Sequence, residues 1–323
     1  MQAALELQGV EKSFGTQRAV SALDLAIPKG ETCGLIGPSG AGKTTSIRLI
    51  MSILFPDAGT VEVLGRPSAL EAKDRIGYLP EERGVYRKMK VGAFLKYLAG
   101  LKGAADSDAG PRAKELLEKL GLGGVLEKKC EDLSKGMLQR VQFVGSIVHR
   151  PELLILDEPF SGLDPVSVRL LKDVISAERR RGTTILFSTH VMAQAEELCD
   201  RVVMINRGRK VLDEPMSSLR RRFDPTRVLF EPLEADARLD GLRDLPGVQS
   251  MQQRDGEAEL RLAPGTDPSA VIRAAAAVVV PARVEIARIR LEDVFVSMVR
   301  GEAGGESEAA LRQHLQGLSG EKA

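Results

Sequence analysis

The stretch Gly37-Pro38-Ser39-Gly40-Ala41-Gly42-Lys43-Thr44 constrains this chain more than any other. It fits G-x-x-x-x-G-K-[ST], the P-loop pattern. Before it, Thr32 to Ile36 (TCGLI) is a short apolar run that reads as a strand; after it, Thr45 to Met51 reads as the first turns of a helix. Strand, glycine-rich turn and helix are the context this pattern needs. The glycines let successive backbone N–H groups point inward at phosphate oxygens. The helix N-terminus adds a dipole that favours an anion, at Thr45 as well as at the loop itself. Lys43 is placed to neutralise the β- and γ-phosphates, and the Thr44 hydroxyl to ligate Mg²⁺. The loop therefore implies a nucleoside triphosphate and Mg²⁺, and leaves open what the nucleotide is for.

A length of 323 residues suggests about two domains. Lys and Arg total 46 against 45 Asp and Glu, a net charge of +1, which argues against a bulk nucleic-acid or anionic-membrane binder. Tryptophan is absent, so stacking platforms for single-stranded nucleic acid are not expected. Cys33, Cys130 and Cys199 form no C-x-x-C pair, and an odd count is no disulfide framework. They read as small buried hydrophobes of a reducing compartment. No apolar h-region follows Met1, and the longest apolar stretch, Ala274 to Val280, is too short to span a bilayer. The expectation is a soluble chain whose membrane role would need a partner.

Along the chain, residues 5–10 and 23–27 read as strands, the second ending at the turn Pro28-Lys29-Gly30. Residues 61–65 and 76–80 follow as strands. Residues 91–102 and 112–122 carry helical periodicity, separated by a small-residue linker at 103–111, and a third helix runs from about 136 to 149. This helical block, about 88–148, interrupts an α/β pattern. The pattern resumes at Leu153 to Leu156, a continuous apolar run suited to a strand buried on both faces. A helix at 166–181, a strand at 183–188, a helix at 191–199 and a strand at 201–205 complete it, with a hairpin turn at Gly208-Arg209-Lys210. Arg220-Arg221-Arg222 marks a boundary. Beyond it, strands at 228–230, 258–262 and 282–289 and helices near 268–279 and 291–299 describe a small α+β domain over 221–300. Residues 301–323 are rich in Gly, Glu and Ser and read as a disordered tail, with a transient helix possible at 309–318.

Two further motifs carry chemistry. Leu153 to Leu156 leads into Asp157-Glu158, carboxylates at the end of a buried strand. Beside a P-loop, Asp157 is placed for Mg²⁺, and Glu158 can face the γ-phosphate and take a proton from attacking water. Leu133-Ser134-Lys135-Gly136-Met137 opens the third helix. Ser134 is a good N-cap, and Ser134 with Gly136 also makes a second anion site at a helix start. Two phosphate sites for one nucleotide suggest that they meet across a dimer.

With these residues in view, the chain resembles the nucleotide-binding subunit of ATP-binding cassette (ABC) transporters. Residues 133–140 look like the ABC signature, departing from LSGGQ at Lys135 and Met137; Leu153 to Glu158 look like Walker B, and Ser161 to Asp164 like the D-loop. His190, after Ser188-Thr189, looks like the switch histidine. His149 and His314 have no such context and read as loop and tail residues. The match covers about residues 3–215. It implies a fold with a RecA-like parallel sheet, an antiparallel β edge and an inserted helical subdomain within an ATPase domain of residues 1–220. It implies a head-to-tail homodimer with two ATP molecules between the subunits, each held by the P-loop of one copy and by Ser134 and Gly136 of the other. It also implies that His190 orients Glu158 and water, and that Phe14 stacks on adenine.

The family usually places a Gln after the strand at 76–80, touching Mg²⁺; here Glu81, or by another alignment Glu82, takes that place. The segment IGYLPEERGVYRKM, the LSKGM signature and the appended domain resemble ATPase subunits of type-2 exporters, which work with separately encoded permeases. That resemblance implies a cytoplasmic location on the inner face of the membrane, with residues around Arg83 to Tyr97 receiving the permease. A soluble ABC ATPase acting on ribosomes or DNA stays open as an alternative, although this chain carries one cassette and no zinc motif or coiled-coil insert. A cassette that binds without turnover is the third reading, disfavoured by the presence of Lys43, Asp157, Glu158 and His190. The appended domain, with no catalytic constellation, reads as regulatory or dimer-supporting.

Overall fold

The first two strands are each twelve residues long, β1 (Ala3–Phe14) and β2 (Gln17–Pro28), well beyond the six- and five-residue runs visible as apolar alternation. The extension of β1 is polar, and Asp57 holds it in place. Its carboxylate accepts from the Lys12 ammonium and the Ser13 N–H, both at 2.7 Å. With β4 (Ala58–Val63) these strands form an antiparallel sheet in the order β2-β1-β4. In a computed structural model, residues 2–295 are described apart from 83, 223–226, 235, 255, 264, 288–290 and 293. The tail at 301–323, His314 and most of the helix expected at 291–299 lie outside the described residues.

The second sheet is the one that positions the site. Its order is β5-β6-β7-β3-β8-β9, built from β3 (Thr32–Ile36), β5 (Ile76–Leu79), β6 (Leu153–Asp157), β7 (Thr184–Thr189), β8 (Arg201–Asn206) and β9 (Arg209–Pro215). All neighbours are parallel except β8 and β9. Every residue of β3, β6 and β7 is buried. That explains their unbroken apolar character, since parallel strands are covered on both faces. β9 was not expected. The turn before it sits at Arg207-Gly208, both with positive φ (48° and 77°), so Arg209 already pairs with Asn206.

Helix α1 (Lys43–Ile50) packs between the two sheets. Its Ile47, Leu49 and Ile50 join Leu5, Leu7, Leu35 and Ile155 in one apolar core. Helices α2 (Val91–Leu101), α3 (Asp106–Lys119) and α4 (Lys135–Ile147) form the inserted helical block. The expected linker at 103–111 is mostly helix, since α3 begins at Asp106 and carries Pro111 inside it. Two acids in its first turn suit the helix dipole. Burial of Ala109, Ala113, Leu116 and Leu117 on one face offsets the hydrogen bond that Pro111 cannot make. Helices α5 (Pro165–Arg180) and α6 (Met192–Leu198) precede β7 and β8 respectively.

A separate compact unit spans Met216–Val294. The division falls ahead of the arginine cluster because Met216–Arg222 forms α7. A four-stranded antiparallel sheet in the order β11-β12-β10-β13 follows, from β10 (Arg227–Pro232), β11 (Val248–Arg254), β12 (Glu257–Leu262) and β13 (Pro281–Ala287). Helix α8 (Pro268–Val278) contributes Val271 and Ala275 to the core of this unit, with Val228, Phe230 and Leu260. β11 escapes sequence reading because VQSMQQR has too few apolar residues to show a period.

The three cysteines are free and buried, and burial pushes the thiols of Cys33 and Cys199 far above their ordinary range. They are therefore inert as nucleophiles. No helix among the described residues is long and apolar enough to cross a membrane.

Two predictions follow from buried polar groups. Glu178 on α5 is 4% exposed; it accepts from Arg112 of α3 at 2.6 Å and from Arg181 Nε at 3.0 Å. Glu178→Ala leaves the largely buried Arg112 without its carboxylate partner, so a denaturant titration is expected to show a loss of about 3 kcal/mol. His149 is held neutral. Burial first, then the nearby Lys102, lowers its pKa from 6.5 to about 4. The unfolded chain then binds a proton that the native state refuses, so stability falls as pH drops from about 6.5 towards 4. His149→Gln is expected to show a smaller difference in unfolding midpoint between pH 7.5 and pH 5 than the parent chain.

Candidate active site

Four strand ends converge at the carboxyl edge of the parallel sheet. β3 runs into Gly37–Gly42, β6 into Asp157 and Glu158, β7 into His190, and β5 into the loop of Glu81. This edge is where parallel α/β sheets bind ligands.

The P-loop backbone depends on glycine. Gly37, Gly40 and Gly42 have φ of 154°, 76° and 109°. A Cβ on Gly37 would lie 2.1 Å from the Ile205 carbonyl oxygen, and one on Gly42 would lie 2.4 Å from that of Ala19. Gly42 is also the N-cap of α1 and supplies no side-chain cap, which leaves the first-turn amides of that helix for an outside acceptor. Gly40, Gly42, Lys43, Thr44 and Thr45 line a cavity of about 420 Å³. Phe14, 49% exposed at the end of β1, lines the same cavity and has the Lys12 ammonium 5.9 Å from its ring centre. Pro38, Ser39 and Ala41 complete the turn; the Ala41 N–H donates to the Pro38 oxygen at 3.1 Å.

Lys43 is buried, and its ammonium donates to the carbonyls of Gly37 (2.8 Å) and Pro38 (3.1 Å). Burial lowers its pKa, while the carboxylates of Glu158, Asp157 and Glu81 act in the opposite direction. Glu158 Oε1 lies 3.7 Å from that ammonium, and Glu158 Oε2 lies 3.0 Å from His190 Nδ1. The hydrogen bond that the ring donates to Glu158 raises the imidazole pKa against the effect of burial. Glu158 itself sits at φ 49°, a left-handed backbone rare for a non-glycine residue.

Asp157 is 1% exposed, and desolvation raises its carboxyl pKa. Its Oδ1 accepts from the Ser188 hydroxyl at 2.5 Å and from the Thr44 hydroxyl at 3.4 Å, while Oδ2 is buried without a hydrogen-bond partner. An orphaned carboxylate oxygen beside a threonine hydroxyl is a hard-oxygen donor set that fits Mg²⁺. Among the described residues no three His, Cys, Asp or Glu side chains form a metal cage by themselves. A cation here would take its remaining ligands from phosphate or water. Glu81 is exposed at the mouth of the site. Desolvation first, then Asp157 and Glu158, raises its carboxyl pKa, and Lys43 opposes them. Glu82 points elsewhere, 91% exposed and 3.7 Å from Arg48.

Glu81, Ser134, Gly136, Asp157, Glu158 and His190 are not among the residues that line the cavity; Asp157 and Glu158 adjoin it through Thr44 and Lys43, and His190 through Glu158. Ser134 is exposed at the start of α4, where its hydroxyl accepts from the Met137 N–H at 3.3 Å. Leu163 of the D-loop lies against Gly136.

A model of the ABC transporter family matches residues 20–161, and one described as the C-terminal domain of DrrA1-3-like ATP-binding proteins matches residues 215–299. The chain is 40% identical over 259 residues to the ABC transporter ATP-binding protein YhaQ of Bacillus subtilis, across 80% of this chain and 86% of that one. The chain belongs to the ATP-binding subunits of ABC transporters. The Nod factor export ATP-binding protein I of Burkholderia lata is 36% identical over 214 residues, 65% of this chain and 70% of its own. A solved ATP-binding subunit of an ABC transporter superposes with a TM-score of 0.64 at 29% identity, over 68% of this chain and 93% of that one.

As an ABC ATPase, the subunit also has contacts around the site that motif reading did not assign. Ser188 bridges the site, since its hydroxyl accepts from the Glu158 N–H at 3.0 Å while donating to Asp157. A hydroxyl closing an otherwise apolar strand, TILFS, was its only signal in the sequence. Gln139 donates to the Pro159 carbonyl at 2.7 Å, and Gln142 donates to the Gly84 carbonyl at 3.3 Å, which ties α4 to the loop of Glu81. Gln17, Arg18 and Arg207 line the cavity beside Phe14 and carry no motif. For the loop itself, Gly42→Ala is expected to weaken nucleotide binding at least about tenfold, because the strain of a side chain at this φ and the clash with Ala19 both distort the cradle. Equilibrium titration with a fluorescent ATP analogue reads this directly.

Proposed function

We propose that this subunit energises a membrane exporter as a head-to-tail pair of copies that closes on two ATP molecules. The observation that carries this reading is the division of the site. Lys43 and Thr44 line the cavity and are linked to Glu158 (3.7 Å) and Asp157 (3.4 Å), and through Glu158 to His190 (3.0 Å), whereas Ser134 bonds within its own helix and Gly136 lies against Leu163. A second copy arranged head to tail would supply them, and closure of that pair would then depend on the γ-phosphate. The export role named for the Nod factor relative and the match to the DrrA-like C-terminal domain support the exporter class.

In this reading the P-loop amides and Lys43 bind the phosphates, and Phe14 stacks on the adenine. Thr44 and Asp157 would hold Mg²⁺, with Glu81 beside it; the ion supplies charge neutralisation for phosphoryl transfer. Glu158 accepts a proton from the attacking water, held in place by Lys43 on one carboxylate oxygen and His190 on the other. Binding energy closes the pair and hydrolysis reopens it. The ATPase domain occupies residues 1–220, and 221–300 form an accessory domain that regulates or supports the pair. A separately encoded permease holds the subunit at the inner face of the membrane. It would dock near Tyr86 and Tyr97, exposed rings 5.5 Å apart in a T-shaped contact.

Ser134→Arg is expected to leave ATP binding to the monomer within a few-fold of the parent while abolishing ATP-dependent dimerisation and hydrolysis. Lys43→Ala is expected to lose binding itself. Light scattering with and without ATP, together with phosphate release, separates the two, and normal hydrolysis by the Ser134 variant contradicts the shared site.

A further inference from the structure

We propose that Asp57 is a positioning residue for nucleotide binding: it holds the outer end of β1 so that the Phe14 ring stands ready for the base. The proposal rests on the reading of Phe14 as the adenine platform and adds the residue on which that platform depends.

Phe14 stands at a weakly supported point of its strand. It is the last residue of β1, half-exposed, and it lines the cavity that the P-loop also lines. Gly15 follows at φ 57°, so the chain turns back at once and Phe14 pairs with Gln17 of β2. That pairing is irregular, with register shifts on both sides of Lys12. On the other edge of β1 the ladder to β4 stops at the pair Glu11 and Ala58. The last three residues of β1 therefore lie beyond the reach of one of its two neighbours.

Asp57 takes the place of the missing strand. Its N–H donates to the Glu11 carbonyl at 2.9 Å, which sets its side chain beside the end of β1. Oδ2 accepts from the Ser13 N–H and Oδ1 from the Lys12 ammonium, each at 2.7 Å. The first bond fixes the backbone one residue before the ring. The second fixes a side chain whose ammonium lies 5.9 Å from the ring centre, within range of a cation–π attraction. One carboxylate thus reaches Phe14 through the backbone and through a neighbouring side chain. Because it is exposed, its ion pair contributes little to the stability of the fold. What the two bonds determine is where the end of the strand lies, and with it the ring.

The test is a double-mutant cycle on the full chain. Parent, Phe14→Ala, Asp57→Ala and the double variant are titrated by calorimetry with a non-hydrolysable ATP analogue and with inorganic tripolyphosphate, both with Mg²⁺. Circular dichroism confirms that each is folded. Phe14→Ala is expected to weaken the ATP analogue at least about fivefold, the lower end of the range for one stacked base, and Asp57→Ala about fivefold. In the Phe14→Ala background, Asp57→Ala is expected to cost less than about twofold more, since it acts through the ring. Tripolyphosphate, which has no base, is expected to bind all four chains within about twofold. An unchanged ATP affinity in Asp57→Ala overturns the proposal. So does an equal loss with tripolyphosphate, or a full further loss in the double variant, because either shows a general disturbance of the loop. If Phe14→Ala itself has no effect, the platform reading fails and this proposal with it, which is a different result from a silent Asp57 beside a sensitive Phe14.

Discussion

The site depends on one small hydroxyl. Ser188 donates to Asp157 and accepts from the N–H of Glu158, so a single atom at the end of β7 fixes two consecutive residues at the end of β6. The second of them has a backbone that a side chain rarely adopts. Such a conformation persists only where its surroundings hold it. Here they do: the hydrogen bond to Ser188 anchors the amide, and Lys43 and His190 grip the two carboxylate oxygens. The register of the parallel pair β6 and β7, which sets Asp157 opposite Ser188, is what brings the hydroxyl to the right place. Catalytic geometry is thus an outcome of sheet register.

Much of this was readable in advance, and the reason is physical. The residues at this strand edge are of types with little freedom: glycines at positive φ, one lysine, one hydroxyl and two carboxylates after a buried strand. These leave a pattern in the sequence. The buried strands were legible for a related reason, because burial on both faces demands unbroken apolar runs such as Leu153 to Leu156. What stayed hidden was set by tertiary contacts. The polar end of β1 is a strand because Asp57, far along the chain, satisfies it. α3 begins before Pro111 because its apolar face has a place to pack. Gln142 gives no sign in the sequence that its partner is the carbonyl of Gly84.

Of the departures from the family's usual motifs, those at Lys135 and Glu81 differ in kind. Lys135 is exposed at the beginning of α4 and alters a surface. Glu81 places a carboxyl group at the end of β5, where desolvation first and then Asp157 and Glu158 raise its pKa. The neighbouring Glu82 shows how local the difference is: one residue further along the same loop, a carboxylate is solvated and paired with Arg48.

Helix α4 has a property that follows from its two glutamines. Gln139 fastens it to the backbone just after Glu158, and Gln142 fastens it to the loop after β5. Ser134 lies at its beginning, about 12 Å along the axis from Gln142 at 1.5 Å per residue. A helix of this length does not stretch, so the two anchors together tie the position of Ser134 to the backbone after Glu158 and to the loop that carries Glu81.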